Sequence, residues 1–356
     1  MTLAALRSEF PILERVAYLN AGTDGPVPRA AQEAAAREVA AEVEEGRAFA
    51  HFERRLALLD ELRAGYAELV GCPVDDMALT TSTSEGMGKI LAGMDLGPGD
   101  EIVTSDSEHP GLVGPLVAAR ARGVKIVAVP LRDTADAVTK HTTLVALSHV
   151  SWVTGELAPA ALGELDIPVV LDGAQSAGAI PLDMERLGCA AYAAAGQKWL
   201  CGADGTGLLY IAPEVRERVR TVAPAYLSFQ DASRGLDAEL HEDARRYDAP
   251  SLSREGVAFT VAAVAVLESY GLAAVHERAI GLAARLADAL RARGRTVAPR
   301  ADTTLVAWED PDPEAARERI SGAGIVIRHL PGTPYVRASV GAWNDESDLE
   351  RLLRAL

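Results

Sequence analysis

Cysteine is scarce in this chain of 356 residues, and its placement excludes two architectures. Cys72, Cys189 and Cys201 lie far apart and form no CxxC pair, so neither a disulfide framework nor a zinc site is expected. The seven histidines show no ligand spacing, and no catalytic metal is expected. Basic residues are outnumbered: a net charge of -16 and a pI near 4.9 argue against nucleic-acid or anionic-membrane partners. Long apolar runs are missing as well. The stretch VAFTVAAVAVL at 257–267 falls short of the roughly 20 residues a spanning helix needs, so no membrane association is expected. Near the N-terminus, TLAALRSEFPILERV puts acids and a proline where the apolar core of a signal peptide would lie, and a reducing, cytoplasmic setting is the expectation. No internal repeat is present.

What the chain does have is a large apolar share, 49%, enough for one large or two moderate domains. From Met77 onward, short β-rich runs alternate with helical stretches: MALTT, EIVTS, KIVAVP, TLVALS, PVVLD, AAYAAA and LLYI. This alternation predicts an α/β fold with a mostly parallel seven-stranded sheet. An N-terminal arm and loop over 1–27, with YLNAGTDGPVP reading as turn formers, precedes a large domain over 28–243. That domain opens with two alanine- and glutamate-rich helices broken around Gly46. The pattern fails at 224–250, a polar stretch that reads as a surface crossing. A small α+β domain over 244–356 follows, with helices at 254–269 and 272–293 closed by Gly271 and Gly294, and a last helix capped by Asn344.

The chemistry concentrates in 167–211. An apolar run ends in Asp172, Gln175 follows, and Lys198 comes after a second apolar run and before a glycine-rich turn. Buried parallel strands deliver such residues to one sheet edge, where ligands gather. Asp172 and Lys198 would form a structural ion pair there, or hold a ligand that the neighbouring glycines let approach. The glycines of GADGTG at 202–207 lead into a strand, whereas dinucleotide and P-loop glycines precede a helix.

Seven motifs in order resemble the class V aminotransferase and cysteine desulfurase group of fold-type I pyridoxal-phosphate enzymes. They are YLNAG, TSTSEG, SEHPG, SHVSWVTG, DGAQSAG, GQKWLCG and RASVGAWN. The resemblance implies pyridoxal 5'-phosphate as cofactor, with Lys198 as its Schiff-base lysine and Asp172 on the pyridine nitrogen. It also implies Gln175 on the phenolic oxygen, His109 on the ring face, Gln197 beside the lysine, and Thr83 and Ser84 on the phosphate, with Glu85 and Gly86 opening a helix. Ser251 matches a residue that reaches the phosphate of a neighbouring subunit, which implies a homodimer with shared active sites. Arg337 matches the arginine that holds a substrate carboxylate; Asn20 and Ala21 belong to the loop that covers the substrate. Taken one at a time, a strand-end aspartate is more often a cap and a lysine usually solvated. Their order and the 26-residue step between them carry the assignment.

The chain also departs from that pattern. The serine and histidine of SxHK are Ala195 and Gln197, and Trp152 stands where an asparagine is expected, able to narrow the pocket or stack near the cofactor. The loop RHLPGTPYVRAS lacks the mobile cysteine of the desulfurases, and Cys201 reads as a small buried hydrophobe. An amino-acid substrate is implied. Among outcomes, a carbon–sulfur β-lyase on cysteine or an S-substituted cysteine ranks first, then an aminotransferase, then an epimerase; a non-catalytic binding protein is the alternative from another class.

Overall fold

The computed structural model describes residues 3–356. All seven β-rich runs are strands: β2 (Met77–Thr80), β3 (Glu101–Ser105), β4 (Lys125–Val129), β5 (Thr142–Ser148), β6 (Val169–Asp172), β7 (Ala191–Ala195) and β8 (Gly207–Ile211). They form one sheet in the order β2-β8-β7-β6-β5-β3-β4. The block from β4 to β7 is parallel, and only the pairs made by β8 are antiparallel. The central strands are buried on both faces, which is why they read as unbroken apolar runs rather than alternating ones.

Two long helices, α1 (Arg29–Glu45) and α2 (Phe49–Val70), pack on this layer, followed in the chain by α3 (Thr83–Gly93) and α4 (Pro110–Ala121). Helix α3 begins earlier than Glu85. Ser82, not Ser84, is its N-cap, because the Ser82 hydroxyl accepts the Glu85 N–H at 3.1 Å and satisfies a first-turn donor. The 224–250 stretch forms short helical turns and an antiparallel bridge between Phe229 and Leu240.

Helices α5 (Arg254–Ser269) and α6 (Leu272–Ala292) bend by 81° at Gly271, whose φ of 80° an L side chain resists. Among the described residues no single helix is long and apolar enough to cross a membrane. Val257 and Val264 of α5 join the core of the large sheet, and Leu282 and Leu286 of α6 join a second core. That second core lies against β9 (Leu305–Glu309) and β12 (Tyr335–Ser339), which with β11 (Arg328–His329) form a three-stranded sheet in the order β11-β12-β9. Helices α7 (Pro313–Gly322) and α8 (Glu346–Ala355) complete this part.

Asn344 is not the cap of α8. Its side chain is buried, accepting the Gly341 N–H and donating to the Tyr18 carbonyl and to Asp348, so Asp345 takes the capping role. The Tyr18 end of the N-terminal loop is likewise structured: β1 (Ala17–Tyr18) pairs in parallel with β10 (Ile325–Val326). A single-sequence pattern has no access to a two-residue strand whose partner lies three hundred residues away.

Candidate functional site

The site forms where β6 and β7 end. Asp172 closes β6, and Gly173 turns the chain at once, its N–H bonded to the Ala193 carbonyl at 2.7 Å. A methyl on Gly173 would fall 2.0 Å from the Tyr192 ring, so only glycine permits this turn beside β7. The result holds Asp172 buried, with one carboxylate oxygen accepting the Ala174 N–H at 2.9 Å. Burial pushes the Asp172 carboxyl up, and Lys198 offsets part of that rise. Lys198 sits in the turn after β7. Burial pulls its ammonium down, opposed by Asp172 and assisted by Arg337. The amine is buried, so its ammonium gives up a proton more readily and the neutral amine is more populated near neutral pH than that of a solvated lysine.

The turn around Lys198 is strained. Cys201 has a φ of 54°, the only non-glycine in the left-handed region among the described residues. Its thiol is buried and pushed far up by desolvation, as expected of a packing residue. Ala195 ends β7 without a hydroxyl, and the Gln197 side-chain oxygen is buried without a partner.

The N-terminal loop is clamped over this turn. Gly25 N–H donates to the Gln197 carbonyl at 2.7 Å, and the Gln175 amide donates to the Gly22 carbonyl at 2.8 Å. The other end of the Gln175 amide accepts from the Trp199 indole at 3.1 Å, so one amide N–H remains free. Asn20 turns inward, its side-chain oxygen accepting from the Thr23 hydroxyl at 2.9 Å. The Ala21 methyl is fully buried in an apolar cluster with Phe10 and Trp199, which leaves only its backbone for a ligand.

Two helix N-termini converge on the other side. His109 caps α4, its Nδ1 accepting the Gly111 N–H at 3.1 Å. A methyl on Gly111 would lie 2.6 Å from the Ser84 hydroxyl, which measures how closely α3 and α4 approach. Ser84 is exposed, and the Thr83 hydroxyl is buried without a partner. Paired N-termini with free hydroxyls suit a phosphate. Burial, aided by the cations Lys198, Arg328 and Arg337, pushes His109 down to about 4, so its ring is neutral. Trp152 meets that ring edge-on, with centroids 5.2 Å apart at 86°. Its indole N–H is fixed to the Ser107 carbonyl at 2.8 Å.

Arg337, on β12, is the deepest charge. It is 1% exposed, donates to the Trp152 carbonyl, and leaves Nε and one Nη buried without partners. Burial, with Arg328 adding, pulls it down to about 9. A guanidinium held this way is a receptor for an anion, and the bidentate fork suits a carboxylate. Arg328 itself is Arg337's cross-strand partner and reaches the Thr23 hydroxyl at 3.3 Å. Sequence reading missed Arg328 because nothing in RHLPGTP marks the register that puts it there. It also missed Asp24, which acts electrostatically on Lys198 from the covering loop. Ser251 stands apart: it is exposed and accepts from Arg55 at 3.0 Å. Open cavities also lie elsewhere, one of about 530 Å³ beside Cys72 and Cys189 and one of about 400 Å³ under Tyr226, neither lined by Lys198, Asp172 or Arg337.

Residues 20–352 match the family model described as aminotransferase class V. Among curated proteins, the chain is 30% identical to isopenicillin N epimerase of Streptomyces clavuligerus, over 92% of this chain and 84% of that one. It is 28% identical to the cysteine desulfurase CsdA of Escherichia coli, over 99% and 96%. Among solved structures, it resembles the cystine C-S lyase C-DES in complex with its reaction product cysteine persulfide. That similarity has a TM-score of 0.91 at 26% identity, covering 97% of this chain and 98% of that one. Another C-DES structure, with glycine covalently linked to the PLP cofactor, gives a TM-score of 0.92 at 26% identity and 98% coverage of each.

Proposed function

The chain belongs to the aminotransferase class V family, and from that premise we propose a carbon–sulfur β-lyase acting on cysteine or an S-substituted cysteine. The enzyme is pyridoxal-phosphate-dependent, and the residues present fit that cofactor. Lys198 offers an amine to its aldehyde, and Asp172 a buried carboxylate to its ring nitrogen. Gln175 offers its free N–H to the phenolic oxygen, with Gln197 alongside, and His109 a neutral ring to its face. Thr83 and Ser84 offer hydroxyls to its phosphate. When bound, pyridoxal phosphate supplies an electron sink for a carbanion at the substrate Cα.

The protein's own part is binding and proton transfer. Arg337 fixes the α-carboxylate in a region from which the covering loop, through Gly22 and Gly25, keeps water away. Lys198 Nζ, its pKa lowered by burial, takes the Cα proton. Asp24 and Arg328 present one charge of each sign beside the amine, where a substrate's side chain would extend.

The observation that separates the lyase reading from a desulfurase is the absence of a usable thiol beside Lys198. The loop over 328–339 has no cysteine, and Cys201 is 1% exposed with its thiol pushed far up, which disfavours a persulfide relay through the protein. The C-DES resemblance supports the same reading. The epimerase relative favours a second reading, return of the proton to Cα from the opposite face.

One incubation separates them. With cysteine, cystine and S-alkyl cysteines, a lyase releases pyruvate in step with thiol or sulfur product. Sulfide without pyruvate would return the desulfurase, loss of optical rotation alone the epimerase, and keto-acid formation with retained sulfur the aminotransferase.

We further propose a homodimer with shared active sites. Phe49, Tyr226 and Leu236 are exposed apolar side chains, and Ser251 is exposed, available to a partner subunit. Light scattering that returned a monomer at micromolar concentration would contradict this.

A further inference from the structure

Glu108 precedes His109 in the SEHPG motif and has no part in the reading above. It is 9% exposed, a carboxyl inside the protein. Both the Ser148 N–H, at 2.9 Å, and the Ser148 hydroxyl donate to it. Ser148 is in turn the cross-strand partner of Asp172 at the ends of β5 and β6. Ser148 therefore holds Glu108 at the strand next to that of Asp172, by backbone register, and the two carboxyls act on each other through space.

The largest influences on Glu108 besides burial are the Ser148 donors, the Ser105 backbone and the negative charge of Asp172. His109, next in sequence, and His149, next to Ser148, are both pushed down to about 4 and neutral. Asp106 and Arg120 line, together with Glu108, a cavity of about 200 Å³ against α4.

Two buried carboxyls in electrostatic reach do not both ionise freely. Asp172 has Lys198 as counter-charge and the Ala174 N–H as donor, so Glu108 is the one that takes a proton. Burial pushes it up to about 7, with Asp172 adding to the rise and Ser148 opposing it.

We propose that Glu108 is a positioning residue for charge rather than for contact: a second carboxyl, held by Ser148 and coupled to Asp172 through space, whose protonation state sets the electrostatic balance that Asp172 and Lys198 present to the cofactor. Neutral Glu108 leaves Asp172 as the one negative charge of this carboxyl pair. Ionised Glu108 adds a second, which strengthens proton retention on the ring nitrogen and on Lys198. The inference rests on the assignment of Asp172 to the ring nitrogen.

The test is a pH titration, from 5.5 to 9.5, of the visible absorption of the cofactor-loaded enzyme. Wild type shows a step near pH 7 besides the main transition. Glu108→Gln keeps an acceptor for the Ser148 N–H and loses the step, and its main transition falls by about half to one pH unit. Ser148→Ala, which removes a donor to the ionised form, moves the step upward. A cofactor-free readout runs alongside. A carboxyl raised in the folded state costs stability as pH rises from its unfolded value toward about 7, so Glu108→Gln gains melting temperature relative to wild type at pH 8 but not at pH 4. A Glu108→Gln titration superimposable on wild type overturns the inference. Asp172→Asn separates the two levels: if it leaves the visible band and cofactor retention intact, the Asp172 assignment falls as well.

Discussion

Replacing Arg337 by methionine should make the free protein more stable while damaging substrate binding. In the structure, Arg337 is buried with Nε and one Nη unpartnered, and burial pulls its pKa from the usual arginine range down to about 9. A depression of that size corresponds to about 4–5 kcal/mol of unfavourable charge burial. The sign follows from proton binding: below pH 9 the folded and unfolded chains both carry the charge, so the full penalty is present at neutral pH. Methionine removes the penalty and fills similar volume, but strands the Trp152 carbonyl that Arg337 satisfies, at about 1–3 kcal/mol. The net expectation is a gain of about 1–4 kcal/mol. By contrast, losing a buried charge-assisted pair with a carboxylate costs about 3–5 kcal/mol, a rise in KM on the order of 100-fold or more. Differential scanning of the cofactor-free protein at pH 7.5, beside steady-state kinetics, reads both. An Arg337→Met variant that melts lower and keeps its KM would refute the reasoning, because the guanidinium would then be a structural element.

Three other predictions follow from local geometry. Cys201→Gly should lower stability by about 1 kcal/mol, because the lost packing of the buried side chain and the added freedom of the unfolded chain outweigh relief of the left-handed strain, and should leave turnover within twofold; chemical denaturation and a rate assay check both. Gly25→Ala would place a methyl 2.1 Å from the Lys198 carbonyl oxygen, so the covering loop must move, at a cost of about 1–3 kcal/mol, with KM rising; an unchanged KM would mean the loop does not close the site. Asp248→Asn should lower stability by about 3–5 kcal/mol, since Asp248 pairs with buried Arg63 at 2.8 Å and also accepts the Leu79 N–H; urea unfolding measures it.

The sheet was readable because each central strand is buried on both faces, so PVVLD and AAYAAA appear as short apolar runs between turns. Asp172 and Lys198 were readable for the same reason, since strand ends fix where they emerge. What escaped were residues whose role depends on partners distant in sequence. Arg328 acquires its place from antiparallel register with Arg337, and Glu108 from a contact to Ser148 forty residues on. The Asn344 cap failed similarly: a buried contact to Tyr18 outbid the local preference, and Asp345 took over. The covering loop showed its glycines in the sequence, but the contacts of Gly22 with Gln175 and of Gly25 with Gln197 are tertiary.

Lys198 decides the account, and the chain offers few rivals: Lys89 bridges to Glu85, Lys125 to Glu101, and Lys140 is exposed. Borohydride reduction of the cofactor-loaded protein, followed by peptide mass mapping, asks which lysine carries the cofactor. The account predicts the reduced cofactor on the peptide containing Lys198 alone, and a colourless protein when Lys198 is replaced by alanine. A label on Lys89, Lys125 or Lys140, or a visible band that survives Lys198→Ala, would contradict it.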